Sequence, residues 1–470
     1  MNMTDNFKYG EETKLEKTTE KRANFSGGLG YILAVAGSAV GLGNIWRFPY
    51  LAAKYGGGMF LLTYLVLTLT FGYAMIMSET TIGRMTKRSA IGAFNQFGNS
   101  KILKVGGFIN AIVPVLIVPY YSVIGGWVVK YLVEYIKGNV SGLASDGYFG
   151  GFIGDTKTVF FWFIIFAAAT FVVILGGVEQ GIERVSKIMM PLLIILAIIV
   201  AAYSVTRPGA MAGVKYFFVP NFSNFSLMTV VAALGQMFYS LSIAMGILYT
   251  YGSYLTRDVD VEISTSRVEL VDTGVAVLAG LMVIPAVFAF SGGDPAKLKA
   301  GPSLMFITLP KVFESMGAGR IAGIGFFLLV LLAALTSAIS LVETSISTFC
   351  DELNLSRNKS IILMAVIMVF VGGSSAAGYG IWDFVLIFKM PILDFLDFLT
   401  NSIMMPIAAL ATCYLVVRVI TLEKIDNEIS YSSAFKRKKL YNIVMRVFAP
   451  IFLIVILVSA ILNTLGFISL

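Results

Sequence analysis

The sequence predicts an all-α membrane protein of eleven transmembrane helices, with an inverted five-helix repeat and helices 1 and 6 broken at mid-membrane. Three observations predict it. Of 470 residues, 57% are hydrophobic and 13% charged, against about 25% charged in a soluble protein. Apolar stretches long enough to span a bilayer, about 20 residues each, recur along the whole chain. Two of these stretches, five apart, carry helix-breaking sequence at their centres. Five is odd, so the two units have opposite orientations, the hydropathy pattern of an inverted repeat with a site at the midplane.

The spans fall near 27–53, 57–83, 103–137, 158–176, 181–204, 228–255, 267–292, 321–350, 360–376, 392–419 and 440–467. Gly372, Gly373, Gly378 and Gly380 blur the junction of the ninth and tenth. The segment 295–320 is too polar to cross and reads as an outside loop folded back over the protein. Residues 1–26 are polar and charged, with no apolar core ahead of a cleavage site, so they read as a cytoplasmic tail and not a signal peptide. The remaining units are a first repeat over 27–204, an extracellular loop over 205–227, the second, inverted repeat over 228–420, and a cytoplasmic loop with the eleventh helix over 421–470. Basic clusters set the orientation. Lys14, Lys17, Lys21 and Arg22 precede the first span. Arg84, Lys87, Arg88, Lys101 and Lys104 follow the second, and Lys424 with Lys436 to Lys439 follows the tenth. All become cytoplasmic with the N-terminus inside, and eleven spans then put the C-terminus outside.

The first break is Gly37-Ser38-Ala39-Val40-Gly41-Leu42-Gly43-Asn44-Ile45-Trp46-Arg47-Phe48-Pro49. Each glycine costs about 1 kcal/mol relative to alanine in a helix interior. Backbone freed within a membrane needs protein or a cavity to satisfy it, so a break there offers carbonyls to a cation and amides to an anion. A small-residue helix contact explains the glycine spacing equally well; Asn44 and Arg47, polar at membrane depth, favour a site. The sixth span breaks over Gln236 to Gly246, around Ser240, Ser242 and Gly246. Its composition alone is ordinary for a membrane helix, and its position relative to the first break is what singles it out. Thr336 and Ser337 in the eighth span read on their own as interhelical bridges. Gly181 and Pro191 in the fifth fit a mild kink or a helix that unwinds at its inner end. Asn139-Val140-Ser141 is a short match to a glycosylation sequon.

Several classes are excluded. There is no histidine, and Cys350 and Cys413 are the two cysteines, so an ordinary zinc site, a Ser-His-Asp triad and a disulfide framework are absent. That argues against an enzyme. A channel needs a continuous pore lined by carbonyl or carboxylate rings, and the chain offers two broken helices instead. The +8 net charge lies in the loops of a membrane protein and implies no nucleic-acid partner.

The run Gly37 to Pro49, followed by Gly56-Gly57-Gly58, closely resembles the first-helix signature of the neurotransmitter:sodium symporter family. The resemblance extends through helices two, three, six, seven, eight and ten, most of residues 22–420. The eleven helices, and the serine and methionine of helix six, are most similar to bacterial members that carry large hydrophobic amino acids, which implies a bacterial inner (plasma) membrane location.

The resemblance implies two sodium sites. The first takes the Ala39 carbonyl and the side chains of Asn44, Ser240 and Asp272, with the substrate's carboxylate. The second takes carbonyls of Gly37, Val40 and Ala333 and the hydroxyls of Thr336 and Ser337. It implies that the substrate's carboxylate meets the amides of Leu42 and Gly43 and the Tyr121 hydroxyl, and its ammonium the carbonyls of Ala39 and Tyr239 and the Ser242 hydroxyl. Ile117, Tyr239, Met245 and Leu341, with Ser337 nearby, line the side-chain pocket, which offers no charged partner. It implies an outer gate, Arg47 with Asp397, and an inner one, Arg22 with Asp351 near Tyr254. Animal members hold chloride with a tyrosine, a glutamine and serines. Tyr64 and Gln236 match, but Ala276 stands at the helix-seven serine, and Asp272 stands where animal members have asparagine. Chloride is therefore not expected, and proton antiport on the return step is a secondary expectation.

The sequence thus reads as a sodium-coupled symporter importing a neutral hydrophobic, aliphatic or aromatic, L-amino acid by alternating access. The alternative is a symporter of the same family for another small zwitterion or amine. The expected partners are that small substrate and the lipid bilayer, with no obligate protein partner evident. Topology gives the first test. Cysteines introduced at positions 436 and 470 should label from the cytoplasmic and the external side respectively; labelling of both from one side defeats the eleven-span reading.

Overall fold

A computed structural model describes residues 23–292 and 302–464. Lipid offers the backbone no hydrogen-bond partner, so a chain this apolar satisfies its peptide groups within helices. Among the described residues there is no β-strand beyond two isolated bridges. Among the described residues, nine helices are long and apolar enough to cross a membrane: α3 (Gly58–Thr86), α4 (Lys101–Lys137), α5 (Thr156–Leu175), α6 (Gly177–Val205), α9 (Val261–Ser291), α10 (Gly319–Leu353), α11 (Arg357–Ala377), α12 (Ile392–Ile420) and α13 (Lys438–Asn463). A tenth span is the pair α1 (Gly28–Ala39) and α2 (Gly43–Lys54), bent by 54° at the break between them. The sixth expected span, 228–255, holds α7 (Leu227–Ser240) and α8 (Ile247–Ser253), each too short to cross alone. The order is compatible with the inverted repeat.

The lipid-facing sides are apolar. Along α6, Ile188, Leu192, Ile195, Ile198 and Ile199 are all exposed, as a span at the rim of a bundle requires. The inner faces pack helix on helix, with α4 against α10, α3 against α8, and α6 against both α9 and α10. Pro191 is accommodated inside α6. The irregularity lies at the start of that helix, where Gly177–Glu183 forms a wide π-type turn and Gly177 has φ +73°.

The polar segment after the seventh span does fold back. Leu304–Glu314 packs on α10 and on the short helix Val140–Ala144. Phe306 stacks on Phe149 at 5.0 Å, and its carbonyl accepts from the Tyr131 hydroxyl at 2.9 Å. Residues 295–301 of that expected loop lie outside the described residues.

One buried cation fastens the segment between α12 and α13 to the rest. Arg84, 1% exposed, donates to the Glu428 carboxylate at 3.0 Å, to the Glu428 carbonyl at 2.5 Å and to the Val259 carbonyl at 2.9 Å. Glu428 sits on the amphipathic helix Leu422–Ser430, whose Leu422, Ile425 and Ile429 face inward. Arg84→Met removes every one of these donors and leaves a half-buried carboxylate unpaired, a change worth about 3–5 kcal/mol. The detergent-solubilised variant should therefore show a clearly lower thermal midpoint; an unchanged midpoint would mean that the clamp carries no stability.

Candidate functional site

The site forms where two broken spans meet. α1 ends at Ala39, Val40 turns to an extended conformation (ψ 98°), and the helix resumes at α2. Opposite it, α7 ends at Ser240 and α8 begins at Ile247. Between them Ser242 and Ala244 take left-handed backbone at φ 54° and 60°, a conformation that costs of order 1–3 kcal/mol at each non-glycine residue. The surroundings hold it there. The Ala244 N–H donates to both carboxylate oxygens of Glu79, at 3.1 and 3.3 Å, and the Ser242 hydroxyl lies 3.0 Å from that of Ser38. Glu79 is fully buried in α3.

The two breaks are also tied directly. Gln236 Nε2 donates to the Gly43 carbonyl at 3.0 Å, and Asn44 Nδ2 donates to Ser240 Oγ at 2.9 Å. Gly43 lies against the Tyr239 ring so closely that a Cβ there would sit 2.6 Å from Cε1. A glycine is needed at that position for the breaks to meet.

Three of the four groups expected at the first sodium site are in direct contact. Asp272 Oδ1 accepts from Asn44 Nδ2 at 2.8 Å and from Ser240 Oγ at 2.9 Å, and Asp272 Oδ2 accepts from the Tyr64 hydroxyl at 3.2 Å. Asn44 Oδ1 accepts from the Gly41 N–H at 3.1 Å. Ala39, the fourth, borders the same cavity. Carboxylate, amide and hydroxyl oxygens suit a hard cation.

The second set converges as well. Ser337 Oγ has three carbonyls around it, those of Ser38 at 3.0 Å, Val40 at 3.3 Å and Gly37 at 3.4 Å. One hydroxyl proton serves one of them well, so the surplus oxygens form a negative concavity. Thr336 Oγ1 lies 3.1 Å from the Ala333 carbonyl, and a Cβ on Gly37 would meet the Thr336 side chain at 3.1 Å. All five expected groups therefore lie in one cluster between α1 and α10.

All ten residues expected around the substrate border one cavity: Ala39, Leu42 and Gly43 from the first break, Ile117 and Tyr121 from α4, Tyr239, Ser242 and Met245 from the second, and Ser337 and Leu341 from α10. Ser38, Gly41 and Ile247 join them. The cavity measures about 30 Å³, room for little more than a water. A larger ligand enters only if the walls move. Tyr121 Oη accepts from the Leu42 N–H at 3.4 Å, so that amide is only weakly engaged.

Arg47 and Asp397 form no direct ion pair. The Arg47 guanidinium lies 5.3 Å from the Tyr239 ring centre, while Asp397 accepts from Asn401 at 2.6 Å and from Tyr120 at 3.2 Å. At the inner end, Arg22 lies outside the described residues. Asp351 accepts from the Ser89 N–H at 2.7 Å, and the Tyr254 hydroxyl donates to Glu343 at 2.8 Å. Glu343, fully buried, also receives both terminal nitrogens of Arg357 at 2.9 and 2.7 Å.

Sequence reasoning missed Glu79, the Glu343–Arg357 pair, and Tyr120 with Asn401. For the two glutamates a signal existed, since each is an isolated charge within an apolar span. Tyr120 and Asn401 carry no such mark.

Comparison with known proteins places the chain in a family. The family model described as the sodium:neurotransmitter symporter family matches residues 22–144 and 152–467. The chain is 34% identical over 455 residues to YhdH of Bacillus subtilis (strain 168), named an uncharacterized sodium-dependent transporter, with 96% of this chain and 99% of that one covered. It is 24% identical over 391 residues to the human sodium- and chloride-dependent GABA transporter 2, covering 72% of this chain and 64% of the other. Among solved structures, MhsT in complex with L-phenylalanine superposes with a TM-score of 0.84 at 37% identity, covering 94% of this chain and 100% of that one.

The α1–α10 cluster generates a direct test. Thr336→Ala with Ser337→Ala removes both hydroxyls of this cluster; a hydrogen bond between helices in a membrane is worth about 0.6 kcal/mol on average. The double variant should fold normally, with an unchanged melting midpoint, and lose sodium-dependent uptake. Unaltered sodium affinity would return both residues to a packing role.

Proposed function

The chain belongs to the sodium:neurotransmitter symporter family, and from that premise we propose that it imports a neutral hydrophobic L-amino acid with two sodium ions by alternating access. It is a multi-pass membrane transporter, not an enzyme. The observation that carries the finer reading is the single cavity between the two breaks, polar at one end and apolar at the other. At the polar end the Leu42 and Gly43 amides open α2, where backbone N–H groups and the helix dipole favour a carboxylate. The Tyr121 hydroxyl lies beside them. The Ala39 carbonyl at the end of α1, the Tyr239 carbonyl and the Ser242 hydroxyl suit an ammonium. Ile117, Met245, Ile247 and Leu341 form an apolar wall that rejects a charged side chain. Methionine adapts to differing shapes, which suits aliphatic and aromatic side chains alike, and MhsT, the structural neighbour, is seen with L-phenylalanine.

Coupling follows from adjacency. The substrate's carboxylate would complete the first sodium site, so each ligand raises the affinity for the other. The second site clamps α1 to α10, and an ion there would favour the conformation in which they touch. The small cavity and the Tyr121 and Tyr239 walls give the closed state, with Arg47 lying over Tyr239 as the outer lid. The same reading puts the N-terminal tail and the 421–437 segment in the cytoplasm.

The site also bears on chloride. Two cations and a zwitterion bring two positive charges into a region of low dielectric, where an uncompensated charge is costly. Asp272 supplies a fixed carboxylate held by Asn44, Ser240 and Tyr64, whereas fully buried Ala276 offers no hydroxyl to an anion. We read Asp272 as the built-in counter-charge, in contrast to a relative named chloride-dependent.

The test is uptake of labelled L-phenylalanine and L-leucine into proteoliposomes under an inward sodium gradient, in gluconate and in chloride. Uptake should require sodium, run equally in both anions, and be accelerated by preloaded unlabelled substrate. Asp272→Asn with Ala276→Ser should acquire a chloride requirement. A wild type that already needs chloride defeats the counter-charge assignment, and absence of sodium-driven uptake of any neutral amino acid defeats the substrate class.

A further inference from the structure

The segment between α11 and α12 is unusual for a loop. Over Ile381 to Phe388 it exposes Ile381, Trp382, Phe384, Leu386 and Phe388 by 41% to 76%, with Asp383 the single charge among them. Patches of this kind on a protein surface mark an interaction site.

Its backbone is constrained to show them. Ile387 and Met390 exchange both backbone hydrogen bonds, at 2.9 and 3.0 Å, which closes a two-residue reverse turn. The central pair, Phe388 and Lys389, has φ 50° and 65°. Asn and Gly are the usual occupants of such a turn, and a bulky residue there is a true outlier. Phe388 makes one ring contact, with Phe395 at 6.2 Å, yet stays 76% exposed. Strain of this sort is held by the surrounding structure and clusters at functional sites.

The position of the loop identifies the partner. α11 and α5 pack together, with Phe160 against Gly373, and the Ile381 N–H donates to Thr156 at the start of α5 at 3.1 Å. The outward faces of these two helices are lipid-facing, through Val366, Val369 and Phe370 on α11 and Phe160, Phe161 and Ile164 on α5. The loop starts where both helices end, just past Ala377 of α11 and beside Thr156 of α5. Aromatic residues at this level form the interfacial belt of membrane proteins, and a lysine beside them reaches the headgroups while its stem stays apolar.

We propose that residues 381–389 are an interfacial anchor seated in the bilayer surface at the outer end of α5 and α11, with Trp382, Phe384 and Phe388 at the headgroup–acyl boundary and Lys389 at the lipid phosphates. The anchor leads directly into the helix that bears Asp397. At its root the Tyr379 hydroxyl donates to Asp394 at 2.7 Å. Lipid contact thus steadies the rim of the outer gate.

The test is depth measurement on the full-length protein in vesicles of phosphatidylcholine and phosphatidylglycerol. In a Cys350→Ser, Cys413→Ala background, a nitroxide is placed by Phe384→Cys, with Phe370→Cys on the lipid face of α11 and exposed Lys157→Cys as references. The label at 384 should collide with oxygen as the one at 370 does and be shielded from a water-soluble nickel chelate. Nickel access equal to that at 157 overturns the proposal. So does suppression of both collisions together with cross-linking between copies, which would make the loop a protein contact. Should labelling disturb the fold, quenching of Trp382 by brominated phosphatidylcholine, in Trp46→Phe, Trp127→Phe, Trp162→Phe, decides the same question. Quenching by the lipid supports the anchor, and quenching by aqueous iodide alone overturns it.

Discussion

Backbone hydrogen bonds cannot be left unmade inside a membrane, and this protein leaves two helices unfinished there. Each free amide or carbonyl at a break needs a partner from the protein or from a ligand, and the cost of leaving it bare is several kcal/mol. The rest of the structure answers that demand. Gln236 serves the Gly43 carbonyl, Glu79 serves the Ala244 amide, and Ser337 serves carbonyls at the end of α1. The groups left weakly engaged, such as the Leu42 amide and the surplus carbonyls near Ser337, are those that the ligands would take.

Buried carboxylates do the fastening. Asp272, Glu79 and Glu343 are fully buried, and each is held by donors from other elements. Glu79 joins α3 to the unwound stretch before α8, Asp272 joins α9 to both breaks, and Glu343 joins α10 to α8 and α11. A charge at such depth is tolerated only with partners, so each carboxylate fixes the relative placement of the helices that supply them. Movement of the cavity walls must therefore preserve these contacts or exchange them together, which favours rigid helix groups turning about the breaks.

On the proposed function, substrate and ion coupling would rest on the same economy of space. The cluster around Asp272 and the cavity share Asn44 and Ser240, and the cluster between α1 and α10 shares Ser337 with the cavity wall. Ligands that share walls shift one another's affinity without a long relay.

The sequence by itself determined the helical membrane fold and the two breaks, because each left a local mark, and its resemblance to a known family implied the residues that line the cavity. Apolar length gives a span, glycine and serine within it give a break, and the long first-helix motif fixes register against a known family. It also located Asp272 as a charge at membrane depth. Only the tertiary structure decided which donors hold each carboxylate. Arg47 lies over Tyr239, and Asp397 accepts from Asn401 and Tyr120, contacts that the family resemblance did not specify. Glu343 finds Arg357 fourteen residues away in sequence and Tyr254 just past the end of α8. Such pairings depend on helix rotation and on competition among nearby donors, which the periodicity of one strand of sequence does not carry. The exposed turn at Phe388 is of the same kind, since its φ of 50° belongs to a residue type that local propensity assigns elsewhere.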